Sequence, residues 1–150
     1  MSNEFSSQKI LSIAAIDFPH QYQSTLKDCG PACIKMIAEY YGQDHSLSSL
    51  ANLCKVDANG TSLYNLSEAL NALGFKTVSL KLTWEELAFI PLPCIVHWKG
   101  NHFIILYSMS EINVSVSDPA AGLKTYTIDE FKQGWLNTNS KWAILAIEPM

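Results

Sequence analysis

The chain has 150 residues, of which 48% are hydrophobic and 16% are charged, and its formal net charge at pH 7 is -4. A chain of this length and hydrophobicity can bury the core of one domain, which argues against intrinsic disorder. Its 10 basic residues form no cluster, so the sequence lacks the basic surface that DNA or RNA binding requires.

The first half of the chain is predicted to be helical. Cys29 begins a helix that ends at Gly42, with Asp28 as its cap and Pro31 in its first turn. Its apolar stripe consists of Cys33, Met36, Ile37, Tyr40 and Tyr41. Two more helices follow, one capped by Ser46 and carrying Leu47, Leu50 and Cys54, the other opened by Thr61 or Ser62 and carrying Leu63, Leu66, Leu70 and Leu73 before Gly74.

The second half is predicted to be a sheet. Strand patterns cover Phe75–Leu80, Cys94–Trp98, His102–Tyr107, Ile112–Asp118 and Lys141–Ile147. Two short helices interrupt them, each announced by a capping box, Thr83 with Glu86 and Thr127 with Glu130. Helices followed by strands indicate an α+β domain with an antiparallel sheet, and a catalytic cleft would lie between the halves.

The cysteines and the hydropathy pattern indicate where in the cell the protein is expected to be. Three of the four cysteines (Cys29, Cys33, Cys54 and Cys94) lie in helix-like or strand-like apolar patterns, and no secretion signal precedes them. Reduced thiols in a cytosolic protein are therefore expected. The apolar segment Ile10–Ile16 is too short for a signal peptide or a membrane span, and no other run approaches the roughly 20 apolar residues that cross a bilayer, so a soluble chain is expected.

Cys29 is the candidate nucleophile. At the start of a helix its thiol lies at the positive end of the helix dipole, which should lower its pKa below the ordinary value of about 8.5 and favour the thiolate. Gly30 would keep the backbone beside the sulfur uncrowded. The alternative is an ordinary buried cysteine, so catalytic partners must be identified.

His102 and Asp118 are the candidate partners. Gly100 and Asn101 suit a tight hairpin turn, which leaves His102 at the start of its strand. If the next hairpin closes with three residues at its tip, His102 lies directly opposite Asp118, with Cβ atoms roughly 4.5 to 5.5 Å apart. The carboxylate would then hold the imidazole tautomer, as in a relay of nucleophile, base and orienting group.

Other histidines offer alternatives. His97 is a rival base, but it lacks an acidic partner at an obvious register and is read as structural or groove-lining. A zinc site formed by His97, His102 and a cysteine is disfavoured, because no cysteine pair has the close spacing of structural zinc sites. His20 and His45 lie in loop-like sequence and are expected to be exposed.

A glutamine upstream of Cys29 could complete the site. Thiolate attack on a carbonyl forms an oxyanion, to which a glutamine side-chain NH₂ and the backbone N–H of Cys29 could donate. Both Gln21 and Gln23 are close enough in sequence, and the physics of the sequence does not choose between them.

Together these residues resemble the C39 peptidases, which are papain-like cysteine proteases that remove leader peptides from bacteriocins and related secreted peptides. The resemblance covers nearly the whole chain and rests on the glutamine upstream of Cys29 and on four motifs: Asp28-Cys29-Gly30-Pro31-Ala32-Cys33, Leu92-Pro93-Cys94-Ile95-Val96-His97-Trp98, Asn101-His102-Phe103-Ile104-Ile105-Leu106, and Val116-Ser117-Asp118-Pro119-Ala120-Ala121-Gly122. It implies that Cys29 is the nucleophile, His102 the general acid and base, Asp118 the orienting group, and Gln23 rather than Gln21 the oxyanion donor.

The resemblance also implies the reaction and its partners. The substrate would be a precursor peptide with an amphipathic leader helix, cut after a Gly-Gly or Gly-Ala pair, and no cofactor or metal is needed. Such domains usually form the cytosolic N-terminus of an ABC transporter that exports the product, so the domain would work at the cytoplasmic face of a membrane, with ATP bound only by the full-length transporter. Trp98, Tyr107 and Trp84 are candidate substrate-binding residues.

A single C39-type domain is therefore expected over 1–150. About 1–22 would be an N-terminal extension that adds a helix or an arm, 23–74 the helical half with the cysteine, and 75–150 the sheet half with the histidine and aspartate. Two other functions are possible: a non-catalytic leader-docking module of a transporter, and a different acyl-transfer enzyme such as a transglutaminase.

Overall fold

The computed structural model of the protein describes residues 18–135 and 142–149, and it confirms the predicted α+β architecture. The helices are α1 (Cys29–Tyr40), α2 (Leu47–Leu53), α3 (Leu63–Ala72), α4 (Trp84–Leu87) and α5 (Ile128–Trp135). The strands are β1 (Phe75–Leu82), β2 (Cys94–Trp98), β3 (His102–Met109), β4 (Asn113–Asp118), β5 (Gly122–Thr127) and β6 (Trp142–Pro149). They form one antiparallel sheet in the order β1-β6-β2-β3-β4-β5.

The helix starts follow local capping chemistry. The side chain of Ser46 accepts from the N–H of Ser49 at the start of α2. At α3 the cap is Ser62, whose side chain accepts from the N–H of Asn65. Both predicted capping boxes are present, since Thr83 and Glu86, and likewise Thr127 and Glu130, exchange hydrogen bonds between side chain and backbone.

Asp28 does not cap α1, so this prediction is wrong. Asp28 does precede the helix, but its side chain makes no capping hydrogen bond, and its backbone (φ -112°, ψ 31°) is outside the extended region of a usual N-cap. The carboxylate turns back to the preceding loop, where Ser24 and Thr25 donate to it. At the other end the helix stops as predicted, with Gly42 at φ +90°.

The sheet is buried on both faces at its centre. Residues Cys94–Val96 of β2 and Phe103–Leu106 of β3 are buried without alternation, which explains their continuous apolar sequences. Helices α1, α2 and α3 cover one face of the sheet, and the strand residues buried beneath them include Ile95, Ile105 and Leu145. The other face, which includes Val96, Ile104 and Ile144, packs against Leu87 of α4 and against Phe131 and Trp135 of α5.

Strand β5 was not predicted. It lies at the edge of the sheet, and only Gly122 is buried in it, while the side chains between Leu123 and Thr127 are exposed or partly exposed. A strand with so little buried surface carries no clear apolar alternation. Elsewhere the strand predictions are confirmed, although β1 and β3 extend two residues further than expected, and Lys141, where the last strand was expected to begin, lies outside the described residues.

A segment formed by residues 18–23, here called the N-terminal strap, runs beside the end of β4. Ser117 Oγ donates to the carbonyl of Pro19 at 3.3 Å, and the N–H of Gln23 donates to the carbonyl of Pro119 at 2.9 Å. Phe18 is 3% exposed and anchors the strap between the rings of Tyr40 and Tyr107. The expected additional helix or arm falls mainly on residues 1–17, which lie outside the described residues.

Candidate active site

Cys29 lies at the first turn of α1, against the strand that carries His102. It is 8% exposed and belongs to the core on the helical side of the sheet. One turn further on, the thiol of Cys33 donates to the carbonyl of Phe103 at 3.4 Å, which ties the start of the helix to the residue after His102. The N-terminus of α1 is therefore held beside the start of β3.

Gly30 lies where another element approaches α1 closely. A Cβ at this position would lie 2.6 Å from the methyl group of Thr61 and 2.9 Å from a methyl group of Leu66. Glycine therefore permits the close approach of α1 to α3, and this approach sets the position of the neighbouring Cys29.

His102 and Asp118 make the predicted contact, but not through the predicted register. The distance from His102 Nε2 to Asp118 Oδ1 is 2.7 Å. Strands β3 and β4 pair Ile105 with Ser117, whereas the prediction would pair Ile105 with Ser115. The hairpin closes at Ser110 and Asn113 rather than at the predicted Ser108 and Ile112, and a bulge between Leu106 and Ser108 shifts the pairing by one residue. His102 therefore reaches Asp118 diagonally across the sheet rather than from directly opposite.

The imidazole of His102 is held in its protonated form. Its side chain is 20% exposed, and this burial opposes protonation. The hydrogen bond that His102 donates to Asp118, a hydrogen bond to the Cys29 side chain and the charges of both groups together outweigh the burial and raise the pKa of His102 from 6.5 to about 9. Since Nε2 is hydrogen-bonded to Asp118, Nδ1 is the ring nitrogen that remains to exchange a proton with the thiol of Cys29.

Asp118 is held by three neighbours. Burial raises the pKa of its carboxyl, but the hydrogen bond from His102, the N–H of Ala120 at 2.8 Å and the positive charge of the imidazolium lower it overall, so Asp118 is ionised. The backbone carbonyl of Asp118 accepts a hydrogen bond of 2.8 Å from Nε2 of His20. His20 is thus a partly buried residue of the strap, and the expectation that it is an exposed loop residue is wrong.

Gln23 is tied to the same corner of the molecule. Its backbone N–H bonds to Pro119, its Nε2 donates to the carbonyl of Thr25 at 2.8 Å, and its Oε1 is buried without a hydrogen-bond partner among the described residues. Gln21 instead donates from its side chain to the adjacent carbonyl of Tyr22. Of the two glutamines, Gln23 is the one whose backbone is bonded to Pro119, the residue that follows Asp118.

The alternatives to this site are less well placed. The ring of His97 stacks on Phe103, and burial lowers the pKa of His97, which suits a structural role. Burial raises the pKa of Cys54 and of Cys94 to about 12 and raises that of Cys33 well above its usual value, so these three thiols stay protonated. All four cysteines are free. Within residues 18–135 and 142–149, no three His, Cys, Asp or Glu side chains lie close enough together to hold a metal ion.

Two of the three aromatic candidates for substrate binding, Trp98 and Trp84, lie on one face of the sheet, and Tyr107 lies on the other. Trp98 pairs with His102 across β2 and β3, and its ring is 4% exposed and packs between Tyr126 and Phe131. Tyr107 stacks on Phe18 at 4.8 Å. Trp84 also packs on Phe131, and Lys132 lies over its ring.

Sequence reasoning missed two groups that hold the site, His20 and the hydrogen-bonded cluster of Asp28, Ser24 and Thr25. His20 contacts a residue 98 positions away, and no local pattern predicts such a contact. For the cluster, a signal was present. Ser-Thr followed by Asp within four residues is the composition of a side-chain-to-backbone turn, which competes with helix capping for the same carboxylate.

No helix in the described part of the chain is both long and apolar enough to span a bilayer. Known proteins with related sequences are nevertheless transport proteins. The chain is 36% identical over 121 residues to the lactococcin-G-processing and transport ATP-binding protein LagD of Lactococcus lactis subsp. lactis, an alignment that covers 76% of this chain and 17% of LagD. It is 34% identical over 104 residues to the probable microcin-H47 secretion/processing ATP-binding protein MchF of Escherichia coli, covering 69% of this chain and 15% of MchF. The chain thus spans less than a fifth of the length of these relatives.

The fold leads to the same group of proteins. The structure of a double glycine motif protease from an AMS/PCAT transporter, solved with its leader peptide, superposes with a TM-score of 0.81 at 25% identity and covers 89% of this chain and 93% of the other. The sequence pattern of the Peptidase C39 family matches residues 17–141. With its papain-like fold and the Cys29, His102 and Asp118 cluster, the chain belongs to the peptidase C39 family of cysteine peptidases.

Proposed function

We propose that this domain removes the leader from a bacteriocin-type precursor peptide by cutting after a Gly-Gly or Gly-Ala pair. The observation that carries the proposal is the 2.7 Å contact between His102 and Asp118 beside the thiol of Cys29 at a helix N-terminus. Nucleophile, base and orienting group are the three parts that thiol-dependent acyl transfer requires. The sequence relatives and the leader-bound structure support the choice of substrate.

Each residue has one role in this reaction. Transfer of the Cys29 proton to Nδ1 of neutral His102 forms a thiolate and imidazolium pair, and the raised pKa of His102 favours this pair. The thiolate of the pair attacks the carbonyl carbon of the second small residue. Gln23 and the backbone N–H of Cys29 donate to the oxyanion. His102 then gives its proton to the leaving amine, a thioester forms, and water attacks the thioester to release the leader and restore the thiol. Asp118 holds the imidazolium throughout.

Space for the peptide exists beside these groups. A cavity of about 360 Å³ adjoins Gln23, and its lining residues are Tyr22, Gln23, Ser24, Thr25, Leu26, Pro119 and Ala120. Among the aromatic candidates, Trp98 lies nearest to the catalytic histidine along the sheet and borders a second cavity of about 370 Å³ together with Lys99 and Tyr126. We retain Trp98 as the substrate-binding candidate on this basis, ahead of Tyr107 and Trp84.

The domain would act at the cytoplasmic face of a membrane, coupled to an exporter of the cleaved peptide. The relatives named as processing and transport ATP-binding proteins support this placement, with ATP bound by parts of those proteins that lie outside the aligned residues. The alternative is a docking module that holds the leader without cutting it. The presence of all three catalytic groups in one cluster favours hydrolysis.

A cleavage assay tests the proposal. The chain and its Cys29→Ala variant are incubated with a peptide made of an amphipathic leader, Gly-Gly and several following residues, and the products are weighed by mass spectrometry. Cleavage after the second glycine by the parent chain alone is expected, and a matched peptide with leucine in place of that glycine should stay intact. Leader binding by both forms without cleavage would replace hydrolysis with docking, whereas cleavage by Cys29→Ala would remove the thiol from the mechanism.

A further inference from the structure

Asp28 is a buried charged residue to which the reaction above assigns no role. It is 8% exposed, and its carboxylate accepts four hydrogen bonds. Oδ2 accepts from the N–H of Ser24 at 3.3 Å and from its hydroxyl at 2.6 Å. Oδ1 accepts from the N–H of Thr25 at 2.8 Å and from its hydroxyl at 3.2 Å. Four donors on one carboxylate hold the loop before α1 in a single conformation.

The charge on this carboxylate is maintained by the same contacts. Burial raises the pKa of the Asp28 carboxyl, but the hydrogen bonds from Ser24 and Thr25 lower it overall. An ionised carboxylate is an acceptor at both oxygens, which suits a position where every neighbouring group is a donor.

The loop that Asp28 holds carries both oxyanion donors. Gln23 lies directly before Ser24, and Cys29 directly follows Asp28. Thr25 links them, because it donates to Asp28 through its N–H and hydroxyl while its carbonyl accepts from Nε2 of Gln23 at 2.8 Å. A continuous series of hydrogen bonds thus runs from the carboxylate beside the nucleophile to the side-chain amide of Gln23.

We propose that Asp28 is a positioning residue for the oxyanion hole, whose carboxylate holds the loop so that the amide of Gln23 and the backbone N–H of Cys29 point at one substrate oxygen. The inference rests on the proposed peptidase function. Oxyanion donors stabilise the transition state only when they are held in place before the charge develops. A displacement of about 1 Å in such a group can cost on the order of a hundredfold in rate.

The chemistry of the cluster explains why an aspartate is needed. Asparagine has nearly the same shape, but its NH₂ would face the backbone N–H of either Ser24 or Thr25, so a donor would oppose a donor, and the neighbouring hydroxyl would have to turn from donating to accepting. The loop would have to move to relieve these contacts. Rotation of the peptide between Asp28 and Cys29 would turn the N–H of Cys29, whereas the Cys29 side chain, which packs in the core, and His102 on β3 would keep their positions.

The first experiment compares Asp28→Asn with the parent in the Gly-Gly peptide assay. We expect kcat to fall about 10- to 100-fold while KM changes less than about twofold, because the defect concerns the transition state. Alkylation of Cys29 by iodoacetamide should keep its rate within about threefold. In that displacement an S–C bond forms as the C–I bond breaks and iodide leaves, so no oxyanion arises and the oxyanion hole is not used. Asp57→Asn, which alters an aspartate that accepts one backbone N–H in an exposed turn, is the matched control and should behave as the parent.

Two milder variants cover the case in which Asp28→Asn does not fold. Ser24→Ala and Thr25→Val each remove one hydroxyl donor and leave the charge, and each should lower kcat about threefold to tenfold with unchanged alkylation. In the Asp28→Asn chain, if it folds, adding either change should have little further effect, since the three residues act as one unit.

Three results would overturn the inference. A parental kcat in Asp28→Asn, or in both milder variants, would show that the cluster does not support catalysis. A parallel loss of kcat and of the alkylation rate would show that Asp28 serves the fold of the whole site. A parent chain that leaves the Gly-Gly peptide intact would refute the proposed function itself, and it is distinguished from the other two because the parent is measured first.

Discussion

Replacing Asp118 with asparagine tests the electrostatic core of the site. Oδ1 of Asp118 accepts both from His102 Nε2 at 2.7 Å and from the N–H of Ala120 at 2.8 Å, so the amide oxygen of an asparagine can keep both bonds. The substitution therefore removes the negative charge and preserves the geometry. Burial still disfavours the protonated ring, and fewer contacts then favour it. The pKa of His102 should therefore fall from about 9 to 6.5 or below.

The size of the effect depends on pH. If the competent enzyme carries a proton on His102, a pKa of about 9 leaves roughly 90% of the parent active at about pH 8, whereas a pKa of 6.5 leaves roughly 3%. Asp118→Asn should thus lose about thirtyfold in kcat/KM at about pH 8 but less than about twofold from this cause at about pH 6. The affinity for the leader should stay near that of the parent, because we expect leader binding not to depend on the charge of the His102 ring.

The assay is the pH dependence of kcat/KM on the Gly-Gly peptide, with leader affinity measured in parallel by calorimetry. The alkaline limb of the parent should report a pKa of about 9, and in Asp118→Asn it should move down by two units or more. Asp44→Asn, which removes a charge from an exposed side chain, is the control and should leave the limb in place. An unmoved limb in Asp118→Asn, or an equal loss at both pH values, would refute the reasoning.

The same interaction predicts a change in stability with pH. The folded-state pKa of His102 is raised, so its contribution is fully present below pH 6.5 and is lost as the pH rises through about 9. The shift corresponds to about 3 kcal/mol of unfolding free energy in the parent. Urea unfolding of the parent and of Asp118→Asn should therefore differ most near pH 6 and converge above pH 9. A constant difference between the two would contradict this assignment.

Three further predictions separate the roles of neighbouring residues. Gln23→Ala should lower kcat about 10²- to 10³-fold with little change in KM, while Gln21→Ala should match the parent; equal kinetics for the two variants would reject the oxyanion assignment. His97→Phe should keep activity within a few-fold because His97 stacks on an aromatic ring, whereas His102→Phe should abolish it; the reverse order would make His97 the base. Phe18→Ala should lower the unfolding free energy in urea by about 3 kcal/mol, since the ring is buried between two tyrosines, and a loss below about 1 kcal/mol would mean that the strap contributes little to stability.

Much of the fold was predictable from short sequence signals. Caps at Ser46 and Ser62, two capping boxes and a stop at Gly42 were each recognisable from a few adjacent residues. The helix does start at Cys29 as predicted, although the Asp28 cap used to place that start is not formed. These features are local, since their hydrogen bonds join residues three or four positions apart. They can therefore be predicted from short segments of the sequence.

The contact between His102 and Asp118 was predicted correctly from a wrong register. The prediction assumed a regular hairpin closed by Ser108 and Ile112, but the turn lies at Ser110 and Asn113 and a bulge follows between Leu106 and Ser108. The contact survives because a histidine can reach an aspartate on the diagonal. A bulge is selected by the packing on both faces of the sheet, which a linear pattern does not contain.

By itself, the sequence determined the helical and strand halves, the helix that presents Cys29, and the choice of Cys29, His102 and Asp118 as the candidate site residues. Only the tertiary structure decided the strand register, the edge strand β5, the strap that brings His20 to the Asp118 carbonyl, and the choice of Asp28 to hold a loop rather than cap a helix. The reason is physical. Caps and periodicity depend on neighbours within one turn or one strand, whereas these four features depend on which distant surfaces pack together, or on a competition between two nearly equal local hydrogen-bond patterns.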